Sequence, residues 1–275
     1  MEPEHGRVGG TYQRVSEQLN NWFMPLFSYE LTQIAKSKSA SIGSPRGSLG
    51  QIPYNCALSD CCDYAVSNGQ RHLGALARAL DSSAVDPIRD QTHKNRKLIL
   101  IDLGSGPGLS WLLFTELLLG QSHPAEMTVV NIDHSKNMHL IARRAKEIAS
   151  SIHPELQSLD FRFATDSKFI DSFTSDELQS DTTILLILNH ILHQSSETKE
   201  AVPNFVSHAL DNISRLAKRS GTDKIFGISI EPARLNIGFG KTGLIQEIHR
   251  HHGSVIANAE IAGDRAGKSV TTFSF

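Results

Sequence analysis

Cysteine is scarce: the 275 residues include only Cys56, Cys61 and Cys62. An odd number packed into one short stretch suits neither a disulfide framework nor a four-ligand zinc site, so all three are expected to be ordinary thiols. Long apolar runs are missing as well. The longest, Leu112 to Leu119 and Ile184 to Leu188, fall far short of the roughly 20 residues that a bilayer span needs, so no membrane partner is expected. Neither sign of charge dominates, since 27 Lys plus Arg face 29 Asp plus Glu for a net charge of -2. Without a global basic field nucleic acid is not the expected partner, although local patches remain open. The opening Met1, Glu2, Pro3, Glu4 and His5 lack the basic and then apolar stretches of a secretory signal, and a cytoplasmic location is expected by default.

What is present is the composition of a folded protein, 39% hydrophobic and 20% charged. Histidine is more plentiful than usual, at 13 residues. His249, His251 and His252 cluster without companion cysteines or carboxylates at ligand spacing, so they read as a solvated helix end and no metal is expected.

The chain divides near residue 95. Residues 1–95 read as a mainly helical segment and residues 96–275 as an α/β domain that the helical segment could cover. Tyr12 to Ala35 forms an aromatic helical stretch that Pro25 is expected to kink or divide. Lys36 to Gly50 is dense in Ser, Gly and Pro and reads as a loop or lid, made basic by Lys36, Lys38 and Arg46. In a second helical region, Cys56 to Leu80, Leu73, Leu76 and Leu80 line one face. From Lys97 onward short apolar runs alternate with helical stretches, the pattern of βαβ units around a parallel sheet. Leu98–Leu103, Met127–Asp133, Leu159–Ala164, Thr182–Leu188 and Lys224–Glu231 read as strands. Leu109–Leu119, Ser135–Ser151 and Ala201–Arg219 read as helices. Gly243–His252 reads as a last helix, followed by a hairpin of Ser254–Ile261 and Ser269–Phe275.

The sharpest local signal is the buried strand that ends in Asp102 and runs through Gly104, Ser105, Gly106 and Gly108 toward a helix. Glycines permit the strained turn and let a nucleoside approach backbone N–H groups, although a purely structural turn would use them too. One βα unit later a second strand ends in Asp133, where a carboxylate can accept both hydroxyl hydrogens of a ribose. A nicotinamide dinucleotide would also want that acid. Asp102, however, would repel a pyrophosphate and attract a ligand carrying an ammonium and a sulfonium. The third glycine also stands at 108, where the dinucleotide pattern would want it at the position of Leu109.

Asp102, Gly104, Gly106 and Gly108 resemble the DxGxGxG first motif of class I S-adenosylmethionine-dependent methyltransferases, and Asp133 matches that family's second acidic position. The resemblance covers roughly Lys97 to Phe275. It implies an α/β, doubly wound, mainly parallel seven-stranded sheet with a C-terminal antiparallel hairpin, here preceded by the N-terminal helical segment. It implies S-adenosyl-L-methionine as cofactor, its methionine portion cradled by the loop from Gly104 through Ser105 to Gly108, with Asp102 near the amino group and Asp133 on the ribose. Phe163 to Ser167 is similar to the family segment whose acid, here Asp166, meets the adenine amino group; as a plain loop cap Asp166 would need no ligand.

The fourth strand leads into Asn189, His190 and His193, polar residues where the carboxyl ends of parallel strands border the ligand crevice. This run is similar to the Asn-x-Leu-His segment of many small-molecule methyltransferases, and Asn189 is assigned to the cofactor site. His193 matches the general base of one O-methyltransferase group, although Gln194 and Ser195 stand where Asp and Trp are usual. His193 is therefore the first candidate base and His190 the second, with hydrogen-bonded structural histidines as the alternative. Glu231, at the end of the fifth strand, could bind a cationic group of the acceptor or cap the next helix. Tyr12 and Trp22, with Phe23, Phe27 and Tyr29, could face the acceptor, although aromatics at helical spacing are more often core. The expected partner is a small-molecule acceptor methylated on oxygen or nitrogen, with a homodimer as an option. An RNA or protein methyltransferase comes second, and a methyltransferase-fold protein with altered or lost chemistry third.

Overall fold

The computed structural model describes residues 11–38, 57–94, 97–114, 126–174, 176–178, 181–189, 201–220, 224–232, 240–261 and 267–275. Within these, the helices are α1 (Thr11–Lys38), α2 (Leu58–Leu80), α3 (Asp86–Lys94), α4 (Lys136–Ile152), α5 (Ala201–Ser220) and α6 (Gly240–Arg250). The strands are β1 (Lys97–Leu103), β2 (Glu126–Ile132), β3 (Asp160–Ala164), β4 (Thr182–Asn189), β5 (Ile225–Pro232), β6 (Ser254–Ile261) and β7 (Lys268–Ser274).

All seven strands form one sheet in the order β3-β2-β1-β4-β5-β7-β6. β1 to β5 are mutually parallel, β7 runs antiparallel beside β5, and β6 and β7 form the closing hairpin. Position in the sheet explains composition. β1 and β4 are central and nearly continuously buried, as their unbroken Leu and Ile runs require, whereas the edge strand β3 has no fully buried residue. Alternation sorts these runs onto two faces. Leu98, Leu100, Leu185 and Ile187 pack beneath α1, α2 and α4; Ile99, Ile101, Ile184 and Leu186 pack beneath α5 and α6.

The N-terminal helices share the first of these cores. In α1, Leu19, Phe23, Phe27 and Leu31 recur every four residues, are fully buried, and face α2. Pro25 lies on the exposed side of this stripe, and α1 continues through it undivided, so of the two expected outcomes division does not occur. The carboxylate of Asp81, just past α2, caps α1 by accepting the N–H groups of Tyr12 and Gln13 at 3.0 and 2.8 Å.

Four other expectations change. α1 extends to Lys38 through the start of the anticipated loop, whose remainder lies outside the described residues. The helix expected from Leu109 begins as a short 3-10 turn, Ser110–Phe114, with residues 115–125 outside the described set. Cys61 is disulfide-bonded rather than an ordinary thiol, whereas Cys62 is a buried free thiol that burial pushes up to about 11. His251 is not solvated: it sits between α5 and α6, with Nε2 3.2 Å from the Ser207 hydroxyl and Nδ1 3.6 Å from Asp211.

Candidate functional site

β1 and β2 deliver their carboxyl ends side by side, with Leu103 opposite Ile132. From there the chain enters the glycine loop, in which Gly104, Gly106 and Gly108 adopt φ of 66°, 50° and 61°. This left-handed region is costly for any residue with a Cβ, which explains the three glycines. The Ile132 carbonyl accepts the N–H groups of Gly104 and Ser105 at 2.8 and 3.2 Å. Asp133, the next residue, spans the loop: its Oδ2 accepts the Gly106 N–H at 2.9 Å and its Oδ1 the Ser135 N–H at 2.8 Å. Ser135 in turn caps α4 through a hydroxyl that accepts the Met138 N–H.

Two carboxylates therefore flank the loop. Asp102, 3% exposed, is pushed up to about 7, mainly by burial; the Ser110 hydrogen bond opposes the rise and the Asp133 charge adds to it. Burial also raises Asp133, against the Ser135 and Gly106 N–H groups and the nearby His134. Asp102 Oδ2 and the Ser105 hydroxyl oxygen are buried without a hydrogen-bond partner, the sort of debt a polar ligand can discharge. A Cβ on Gly108 would meet Asn131 Oδ1 at 2.8 Å and Ala142 Cβ at 2.7 Å, whereas one on Gly106 would meet nothing within 4 Å. The loop is thus pinned at its end and open at its centre. A buried acceptor for an ammonium, open space over glycine backbone and a carboxylate with unused lone pairs fit S-adenosylmethionine.

The other candidates lie at successive strand ends. Asp166 follows β3 and caps a short turn, its Oδ1 accepting the Lys168 N–H at 2.9 Å, while the Asp133 N–H is tied to the Ala164 carbonyl at 3.0 Å. Asn189 ends β4, and its side-chain amide donates to the His72 carbonyl of α2 at 3.2 Å. Glu231, 7% exposed, lies near the end of β5 opposite Ser269 of β7. His190 and His193 lie outside the described residues. Tyr12 and Trp22 are held in the packing of α1. Tyr12, 3% exposed, meets the Phe114 ring edge-on, and burial pushes its phenol up to about 12; Trp22 is half-buried and edge-on to His153.

The structure gives α2 a course that its sequence pattern did not specify. Cys61 Sγ lies 3.9 Å from the Ser135 hydroxyl, Gly69 backs onto Leu109, and His72 receives Asn189, so α2 runs past the carboxyl ends of β2, β1 and β4 in turn. Between these contacts stands Tyr64, its ring edge-on to His72 at 5.9 Å and its phenol pushed up to about 12 by burial and the charge of Asp133. Leucine spacing in this helix announced a buried face but not what the face would meet.

No protein-family profile matches the sequence, and no curated protein matches it. Solved structures do. The magnesium protoporphyrin IX methyltransferase (ChlM) of Synechocystis PCC 6803 with bound SAH is 12% identical with a TM-score of 0.44, over 74% of this chain and 85% of that one. The B. subtilis m1A22 tRNA methyltransferase TrmK is 11% identical with a TM-score of 0.40, over 70% and 65%. M. capricolum TrmK in complex with SAH is 9% identical with a TM-score of 0.38, over 70% and 68%. The sheet order β3-β2-β1-β4-β5-β7-β6, the antiparallel β7 and the glycine loop after β1 give this chain the class I methyltransferase fold.

Proposed function

We propose that this protein is an S-adenosylmethionine-dependent methyltransferase whose acceptor is an oxygen or nitrogen of a small molecule. The observation that carries this assignment is the Asp133 carboxylate bonded to the Gly106 N–H, which fuses the end of β2 and the glycine loop into one surface beside the buried Asp102. The cofactor supplies an electrophilic sulfonium methyl, so the protein needs no covalent nucleophile and contributes by alignment and exclusion of water. Asp102 would accept the ammonium, Gly104 to Gly108 with Ser105 the methionine portion, Asp133 the ribose hydroxyls, and Asp166 with Asn189 the adenine side. His193, or failing it His190, would take the proton from a hydroxyl or protonated nitrogen acceptor, a task a neutral imidazole suits near pH 7. Glu231 would hold a cationic group of the acceptor, and Tyr12 and Trp22 would shape specificity through the packing of α1 on α2. α2 runs past three strand ends, and a helix laid along that edge supports a small acceptor.

Calorimetric titration with S-adenosylhomocysteine, with NAD as the control ligand, tests the cofactor. The expected result is stoichiometric binding of S-adenosylhomocysteine alone; binding of NAD, or of neither, overturns the assignment. With an acceptor in hand, His193→Ala is expected to retain cofactor affinity and lose turnover.

A further inference from the structure

Away from the glycine loop, α4 turns a second stripe toward the edge of the sheet. Its apolar positions Met138, Ile141, Ala145 and Ile148 are buried in the core, whereas Lys136, His139 and Arg143 occupy the adjoining stripe at spacings of three and four. That stripe and the end of β3 enclose a cleft of about 730 Å³. Three cations line it: Lys136 and Arg143 from α4, and Lys168 from the turn after β3. None of them is ion-paired among the described residues, and Asp166 is the single carboxylate in the lining, so the cleft carries net positive charge. Two half-buried rings, Phe163 and Phe169, stand among the cations, and the Arg143 guanidinium lies 4.7 Å over the first. At the wall, His139 is 7% exposed and its ring is bonded to the Ala164 backbone, while Nε2 is buried without a partner. Burial and Arg143 hold this imidazole below its ordinary value, which leaves Nε2 as a bare acceptor.

We propose that this cleft binds a nucleotide, its phosphate on Arg143, Lys136 and Lys168, its base against Phe163 and Phe169, and a base amino hydrogen directed at His139 Nε2. Each part answers one feature. Unpaired cations around a concavity attract phosphate, and a guanidinium already stacked on a ring keeps its N–H edge for bidentate contact. Aromatic rings interleaved with cations accept a base face, as in surfaces that hold single-stranded nucleic acid. The unpartnered nitrogen separates this wall from a plain anion site, since phosphate brings no donor to satisfy it. The cleft adjoins the proposed cofactor crevice and shares Asp166 with its adenine side, so the test is made with that crevice filled.

The test titrates ADP, and separately a short fluorescent single-stranded RNA, into the full chain saturated with S-adenosylhomocysteine. At least one probe is expected to bind alongside it, more weakly at high salt. ADP binding identifies a free nucleotide as the source, and binding of RNA alone identifies a strand presenting the same phosphate and base. R143Q combined with K168Q is expected to weaken the bound probe by about tenfold or more while S-adenosylhomocysteine affinity is unchanged. F163L is expected to weaken it as well. The proposal fails if neither probe binds, if S-adenosylhomocysteine displaces ADP, or if affinity survives either R143Q with K168Q or F163L.

Discussion

Asp133 Oδ2 accepts the N–H of Gly106 at 2.9 Å across a separation of 27 residues, so the acid that ends one strand fixes the loop that leaves its neighbour. Its second oxygen does the same for Ser135 at the head of α4. Asp133→Ala removes both acceptors and leaves two N–H groups seeking water, at a cost of about 1–3 kcal/mol in stability. S-adenosylhomocysteine affinity is expected to fall by about tenfold or more, because the charged acceptor proposed for the ribose disappears with the loop's anchor. Calorimetry alongside urea unfolding measures both quantities, and cofactor affinity equal to that of the parent would remove Asp133 from the ribose site.

Asp102 makes the site pH-dependent in a direction that can be worked out. Its folded-state value, about 7, lies above the ordinary carboxyl value of 3.8 because the carboxyl is buried. Between those limits the folded chain keeps a proton that the unfolded chain releases, so stability falls as pH rises through that window. Asp102→Asn is expected to flatten this dependence in thermal melts. Ligand binding runs the opposite way: an ammonium beside Asp102 favours the ionised acid, so S-adenosylhomocysteine affinity should rise through about pH 7 in the parent and not in the variant. Identical binding profiles for the two would mean that Asp102 does not meet the amino group.

What the sequence revealed, and what it hid, follows the range of each interaction. Strands β1 and β4 were legible because burial on both faces demands continuous Leu and Ile, and the loop because a left-handed backbone at 104, 106 and 108 demands glycine. Asp133 was legible because a strand-ending acid one unit downstream is a sequence-level spacing. The course of α2 was not, since Leu73, Leu76 and Leu80 define a face without an address, and the charge of Asp133 acts on Tyr64 only through tertiary packing. Division of α1 at Pro25 is a local expectation that a stripe of buried Leu and Phe overrides. The basic cleft was hidden because Lys136 and Arg143 meet Lys168 across two elements rather than in a charge run.

Gly106 and Gly108 should respond differently to the same substitution. Both have positive φ, so each Ala variant bears backbone strain of about 1 kcal/mol or more. Gly108→Ala adds overlap with Asn131 and Ala142, whereas the Gly106 flank is open. Gly108→Ala is therefore expected to show the larger stability loss. Gly106→Ala should fold and bind S-adenosylhomocysteine poorly, because its methyl group occupies the space over the loop that the cofactor needs. Denaturation midpoints and calorimetry of the pair decide it; normal binding by a folded Gly106→Ala would place the cofactor elsewhere.

Closure of the sheet rests on Gly227 of β5, which stands directly opposite Phe273 of β7. A Cβ at 227 would overlap the Phe273 ring, which is fully buried against α5 and α6. The hairpin can lie beside β5 only while this position is glycine or the ring is smaller. Gly227→Ala is expected to destabilise by about 1–3 kcal/mol or more, the range for overpacking in a filled core. Phe273→Leu alone should also destabilise, by leaving a void. Combined, the two changes should cost less than the sum of their separate effects, since the leucine yields the volume that the new methyl group takes. Strict additivity in urea unfolding of the four proteins of the cycle would show that the two side chains do not meet. The consequence reaches the site, because the same pairing sets Glu231 opposite Ser269 at the strand end. Gly227→Ala should therefore disturb the acceptor role proposed for Glu231 before it disturbs S-adenosylhomocysteine affinity, whose proposed residues lie on β1 and β2.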